Sequence, residues 1–214
     1  MIILVGGSKG GTGKSTVVTN LAAISVSNGQ DTILVDTDRQ GSAALWSETR
    51  DQAESGLTRV STVQKYGKAG LTNELKALGS RYDHVFVDAG GYDSPELRSA
   101  MMAANKLIIP VRPAQMDVWA IPRIVEIVQE AQDYNPNLTY LFLINGAHTS
   151  PNVKDVDEIM ELLEGFPVAQ TILHHRRAYA KAPMLGMAVT ELGKERDQKA
   201  ADEMMSVYQE VING

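Results

Sequence analysis

The chain has no cysteine, only three phenylalanines and two tryptophans, and fewer basic than acidic side chains, 20 Lys and Arg against 26 Asp and Glu. Without thiols there is no disulfide, no thiolate-bound iron–sulfur cluster, no Cys-based zinc site and no cysteine nucleophile. A net charge of −6 argues against a protein that coats nucleic acid by bulk charge, so any DNA contact must come from a local basic patch. No apolar run approaches the roughly 20 residues of a membrane span. No basic segment precedes the apolar run that begins at Ile2, so the chain reads as cytoplasmic, with no signal peptide.

What is present suits a single folded unit. The chain has 214 residues, 43% of them hydrophobic and 21% charged, enough to bury a full core in one domain. Apolar, β-branched runs predict strands at Ile2–Val5, Thr32–Val35, Arg59–Thr62, His84–Val87, Lys106–Val111, Thr139–Ile144 and Val168–Leu173. Continuous runs such as Val85–Val87 suit strands covered on both faces. Helical spacing separates them, including Ser15–Ser27, Met116–Ala131 with Pro122 near its first turn, and Asn152–Leu163 opened by Pro151. The expectation is one α/β domain over residues 1–214, with a doubly wound, mostly parallel sheet and helices on both faces. Such a sheet binds ligands at the carboxyl ends of its strands. With a core strand beginning at Ile2, no room is expected for an N-terminal helix-turn-helix domain.

The most telling segment follows the first strand: Ser8-Lys9-Gly10-Gly11-Thr12-Gly13-Lys14-Ser15-Thr16. Glycines let backbone N–H groups close around phosphate oxygens, and the helix that follows points its positive end at the same anion. Lys14 reaches toward β- and γ-phosphates and the Ser15 hydroxyl toward Mg²⁺. The strict P-loop pattern wants glycine at position 8. The segment fits instead a deviant form with a second lysine, Lys9, at its front. That lysine is either a solvated loop residue or a cation placed to cross a subunit boundary, as an arginine finger does.

Two further strand ends carry carboxylates. Asp36 and Asp38 are suited to facing a metal-bound phosphate, one holding Mg²⁺ and one orienting water, or else they cap the next helix. Asp88 closes the apolar run Val85–Val87 in the Walker B manner, a Mg²⁺ partner followed by the flexible pair Gly90-Gly91. Asn145 ends the sixth strand, where it is equally suited to an adenine contact or to an ordinary turn.

In this order the motifs resemble the ParA/MinD family of deviant-Walker P-loop ATPases, and within it the small single-domain, ParF-like plasmid partition proteins. Lys9 matches the signature lysine, Lys14 and Ser15 the P-loop, Asp36 and Asp38 the first switch, and Asp88 the second. Pro110-Val111-Arg112-Pro113-Ala114-Gln115-Met116-Asp117 resembles a family stretch near the nucleotide and dimer interface. Ile172, Arg176, Tyr179, Gly186 and Glu191 resemble the spaced pattern further on. Two departures stand out: Arg39 replaces a usual proline before Gln40, and Asp88-Ala89-Gly90-Gly91 lacks the proline common in larger relatives.

The resemblance implies ATP and Mg²⁺ as cofactors. Gly10, Gly11, Thr12, Gly13, Lys14, Ser15, Thr16 and Asn145 would hold the nucleotide, and Ser15, Asp36 and Asp88 the metal. Lys9, Lys14 and Asp38 would be catalytic. It implies a homodimer formed on ATP binding, non-specific DNA binding with nucleoid association, and slow hydrolysis stimulated by a centromere-binding, ParB/ParG-like adaptor, so that plasmid DNA is segregated. Positioning of another cargo, a protein cluster or microcompartment, is the alternative. A MinD-like membrane cycle would need a basic amphipathic tail, whereas Ala201–Ile212 has an acidic polar face and reads as a docking helix.

Phosphate contacts on DNA are expected from Arg176, Arg177 and Lys181. Lys194, Arg196 and Lys199 form a weaker patch, interleaved with Glu195 and Asp197. His174 and His175 have no third ligand at metal spacing, and Trp46 and Trp119 read as packing residues.

Overall fold

A computed structural model of the chain describes residues 1–7, 10–53, 56–91, 93–113, 121–150, 155–195 and 197–214. Seven strands form one all-parallel sheet in the order β3-β2-β4-β1-β5-β6-β7. They are β1 (Ile2–Gly7), β2 (Thr32–Asp36), β3 (Ser61–Gln64), β4 (His84–Gly91), β5 (Lys106–Val111), β6 (Thr139–Ala147) and β7 (Leu173–His174). The described helices are α1 (Lys14–Ser27), α2 (Ser42–Gln52), α3 (Leu71–Gly79), α4 (Pro95–Met101), α5 (Ile121–Gln132), α6 (Asp155–Leu162), α7 (Arg177–Met184) and α8 (Gln198–Asn213).

Strand alternation divides the core in two. Ile2, Leu4, Val85 and Val87 point to the face covered by Leu71, Leu97, Ile124, Val128 and Ile159 of α3, α4, α5 and α6. Ile3, Val5 and Phe86 point to the other, against Leu21, Ile24, Trp46, Ala182 and Met204 of α1, α2, α7 and α8. The central strands are therefore apolar on both faces, as parallel strands under crossover helices must be. The Ala201–Ile212 segment lies within α8, which buries Ala200, Ala201, Met204, Val207, Tyr208 and Val211 against the second layer. Its apolar side is spent on the core.

Two strands differ from their expected spans. β3 begins at Ser61, two residues later than expected, because the pairing that defines it runs Ile33↔Ser61 to Asp36↔Gln64. It is an edge strand, with no fully buried side chain to announce it. β7 shrinks from the expected Val168–Leu173 to two residues. Val168 makes only an isolated bridge to Phe142, and the Gln170 and Thr171 amides then donate to the Glu210 carboxylate at 2.8 and 2.9 Å. A side chain of α8 thus takes the hydrogen bonds that a strand would have used. The helix expected from Asn152 is described from Asp155, and the one expected from Met116 from Ile121, with Pro122 in its first described turn. Pro151 to Lys154 and Met116 to Ala120 lie outside the described residues.

Candidate functional site

β1, β2, β4 and β6 all end at one edge of the sheet, and the segments carrying Gly10–Ser15, Asp36–Asp38, Asp88 and Asn145 follow from those ends. The sheet order makes this meeting unavoidable. β1 lies beside β4 and β4 beside β2, with Val5↔Asp88 and Asp36↔Asp88 in direct register.

The P-loop enters α1 through Gly13, whose φ of 91° lies in the left-handed region. A Cβ there would sit 2.2 Å from Asn145 Nδ2, so glycine is required twice over. Asn145 Nδ2 donates to the Thr12 carbonyl at 2.6 Å and ties the end of β6 to the loop. Thr16 belongs to the first turn of α1, where its carbonyl accepts from Asn20 Nδ2 at 2.7 Å. Ser8 and Lys9 lie outside the described residues.

Lys14 is buried, and burial pulls its ammonium pKa down while Asp88 and Asp38 oppose the change. The three charges therefore face one another at the mouth of α1. Asp36 is fully buried, and both its oxygens serve the first switch: Oδ1 accepts from the Asp38 amide at 3.0 Å and Oδ2 from the Ala44 amide at 2.9 Å. Burial raises its pKa and those bonds counter it. Asp38 accepts from the Gln40 amide at 3.0 Å and lies against Gly90. The Thr37 amide and hydroxyl both donate to the Asp88 carbonyl, each at 2.9 Å.

Asp88 stands apart. It is fully buried, and desolvation pushes its pKa up to about 7; Ser15 and Lys14 resist that rise, while Asp36 and Asp38 add to it. The Ser15 hydroxyl is the side chain that approaches it, yet neither of its oxygens has a hydrogen-bond partner of good geometry. With Thr12 Oγ1 they are the unpartnered buried side-chain polar atoms among the described residues, and all three lie around the P-loop. A buried carboxylate left unsatisfied costs free energy that a ligand recovers. Among the described residues no group of three His, Asp or Glu side chains makes a self-sufficient metal cage. The donors fit instead a hard cation shared between protein oxygens and bound phosphates, which is how Mg²⁺ is usually held.

The expected basic patch needs correction at Arg176. Its guanidinium lies 2.6 Å from Glu203 through Nη2, and its side chain is only 13% exposed. Glu203 also takes the His174 amide and ring. Arg176 therefore fixes β7 to α8 and presents no free charge. Arg177 and Lys181 are exposed, one turn apart on α7. Lys194 and Lys199 are exposed as well, and Arg196 is outside the described residues.

Three of the other C-terminal residues singled out by spacing serve packing. Tyr179 donates to the Ala200 carbonyl at 3.2 Å, Glu191 pairs with the buried Arg50 at 2.7 Å, and the Gly186 carbonyl accepts from Arg50 at 2.9 Å. Trp46 is buried and donates to the Met187 carbonyl; Trp119 lies outside the described residues. Arg112, read from sequence only as part of the proline-flanked stretch, proves to lie against the P-loop at Gly11. The rest of that stretch, Ala114 to Asp117, is outside the described residues.

The comparisons agree with this geometry. The chain is 30% identical over 213 residues to maintenance of carboxysome distribution protein A of Halothiobacillus neapolitanus, covering 98% of this chain and 95% of that one. It is 25% identical over 244 residues to the chromosome-partitioning ATPase Soj of Thermus thermophilus, covering 97% and 96%. In fold it matches the septum site-determining protein MinD of Pyrococcus horikoshii, solved with Mg-ADP, at a TM-score of 0.76 and 18% identity, over 99% of this chain and 95% of that chain. A family model for the CobQ/CobB/MinD/ParA nucleotide binding domain matches residues 3–189. The chain with a glycine cradle at Gly10–Gly13 and an unsatisfied aspartate behind it belongs to that family, as a ParA/MinD-type P-loop ATPase.

Proposed function

We propose that this chain is a ParA-type positioning ATPase, a single domain over residues 1–214, that distributes a protein assembly by cycling between an ATP-bound dimer and a released monomer. The observation that carries the nucleotide chemistry is the group of unpartnered buried oxygens on Asp88 and Thr12 beside the P-loop. The choice of cargo rests on likeness to the carboxysome distribution protein over nearly the whole chain, which favours the non-DNA cargo over plasmid segregation.

In this reading the backbone of Gly10–Gly13 encloses the phosphates, Lys14 neutralises them, and Thr16 completes the cradle. Ser15 and Asp88 hold Mg²⁺, with Asp36 setting the first switch behind them; the cation supplies charge neutralisation at the phosphates. Asp38 orients water for hydrolysis. Asn145 Nδ2 is committed to Thr12, which leaves Oδ1 as an acceptor, suited to the exocyclic amine of adenine. Lys9 reaches the nucleotide of the second subunit, so ATP stabilises the dimer and not the monomer. The dimer binds DNA non-specifically on the nucleoid, and a cargo-borne adaptor stimulates slow hydrolysis to release it. Among the described residues no helix is long and apolar enough to cross a membrane.

The test follows oligomeric state and binding to random-sequence duplex DNA with ATP, with ADP and without nucleotide. ATP-dependent dimers that bind DNA support the reading, and no ATP-driven dimer overturns it. Lys14→Ala is expected to lose nucleotide binding. Lys9→Ala is expected to keep binding but lose dimerisation, and normal turnover in that variant would remove the role across the interface. Cargo is separated in cells lacking the chain: clustered protein assemblies with stable plasmid inheritance support the proposal. Likeness to Soj favours DNA partition as the second reading, and loss of DNA segregation would establish it instead.

A further inference from the structure

Arg112 follows the last residue of β5, and β5 runs parallel to β1 with Ile3↔Lys106 and Val5↔Ile108 in register. The sheet therefore delivers position 112 beside the loop that leaves β1. Its guanidinium comes so close to Gly11 that a Cβ there would sit 2.8 Å from Nη2 and 3.9 Å from Cζ. Gly11 has a φ of 77°, in the left-handed region, and both residues are exposed at the rim of the cradle.

The other arginines held close to the body of the protein have carboxylates to answer them. Arg50 has Glu191, Arg98 has Asp93 and Glu130, Arg123 has Asp93 and Glu126, and Arg176 has Glu203. Among the described residues Arg112 makes no ion pair or hydrogen bond. A guanidinium has five donors in a planar fork that matches phosphate oxygens and stays charged at every working pH. An unanswered fork leaning over a loop of anion-binding amides lacks only the anion.

We propose that Arg112 binds the phosphate chain of the nucleotide held in its own P-loop, a second in-chain cation beside Lys14 and distinct from the role across the interface assigned to Lys9. The inference rests on the reading of Gly10–Ser15 as a nucleotide site. Arg112 recognises phosphate and not the base, since its planar fork of donors lies against Gly11 within the loop of backbone amides.

The experiment measures binding of a fluorescent ATP analogue and a fluorescent ADP analogue to wild-type protein, Arg112→Ala and Arg112→Lys across a salt series, with inorganic tripolyphosphate and adenosine as competitors. A hydrogen bond between charged groups contributes enough that Arg112→Ala is expected to weaken nucleotide binding about ten-fold or more. The salt dependence should flatten, Arg112→Lys should recover part of the loss, and competition by tripolyphosphate should weaken while that by adenosine is unchanged. The melting temperature without nucleotide is expected to stay close to the wild-type value, because the exposed Arg112 side chain gives up only its packing against Gly11 and no ion pair.

Wild-type binding with no loss in Arg112→Ala would overturn the inference while leaving the nucleotide site in place. Failure of the wild type to bind would remove both. A loss that appears only at protein concentrations where dimers form would place the contact across the subunit boundary and overturn the in-chain assignment.

Discussion

The side-chain amide of Asn145 occupies the space that a Cβ on Gly13 would need, 2.2 Å from its ideal position. One residue thus closes the cradle that the other opens. Gly13→Ala is expected to abolish nucleotide binding, because the methyl group meets Asn145 and the φ of 91° disfavours any L side chain. Asn145→Ala removes the bond to Thr12 and, with it, the proposed base contact, and is expected to weaken ATP binding about ten-fold, the scale of one or two net hydrogen bonds. Titration with a fluorescent nucleotide reads both, and near-normal affinity in Gly13→Ala would mean that the loop opens differently.

Asp88 makes the nucleotide-free chain sensitive to pH. Its folded pKa of about 7 lies above the ordinary 3.8, so the folded state holds a proton that the unfolded chain has already released. Where the unfolded state binds fewer protons, stability falls as pH rises. The nucleotide-free protein is therefore expected to lose stability between about pH 4 and pH 7, with the full loss present above that window. Asp88→Asn removes the charge and should flatten this part of the profile, raising stability at pH 8 by a few kcal/mol. Urea denaturation at pH 5, 6, 7 and 8 reads the difference, and a variant less stable than wild type at pH 8 would contradict it.

Arg50 and Glu191 form a buried pair, with side chains 1% and 10% exposed. Arg50 also donates to the Gly186 and Thr58 carbonyls at 2.9 Å each, and its guanidinium lies over the Trp46 ring. Removing one partner strands the other charge, so Glu191→Ala is expected to cost about 3–5 kcal/mol in unfolding free energy. A loss under about 1 kcal/mol would show that water reaches the guanidinium.

The same physics separates the cations of the C-terminal third. Arg176→Ala is expected to lower thermal stability, because the half-buried Glu203 loses its guanidinium partner and keeps only His174, with little direct effect on DNA. Arg177→Ala with Lys181→Ala is expected to weaken DNA binding, with a smaller salt slope, and to cost less stability than Arg176→Ala because both side chains are exposed. Melting curves and DNA titrations at three salt concentrations distinguish the two variants. An unchanged slope in the double variant would move the DNA surface elsewhere.

The parts of the site that were readable from sequence are those written within a few residues. Glycines, Lys14 and Ser15 are contiguous, and Asp36, Asp38 and Asp88 each close an apolar run, so the parallel sheet gathers them at one edge without further information. What stayed hidden depends on partners far along the chain. Arg176 meets Glu203 in α8, and Glu210 takes the amides of Gln170 and Thr171 that would have lengthened β7. Arg112 acquires its place only because β5 lies next to β1, a neighbourhood that no local spacing records. The commitment of both Asp36 oxygens to the Asp38 and Ala44 amides is likewise visible only in three dimensions.

Thr37 is fastened twice to the carbonyl of Asp88, the residue that begins the second switch. The segment that follows β2 and the end of β4 hang from one buried pivot, and the two do not part there without breaking two bonds. That pivot ties the place of Asp38 to the place of Asp88. In the switch proposed above, a displacement of either loop is passed to the other through Thr37, so the two would answer the nucleotide together.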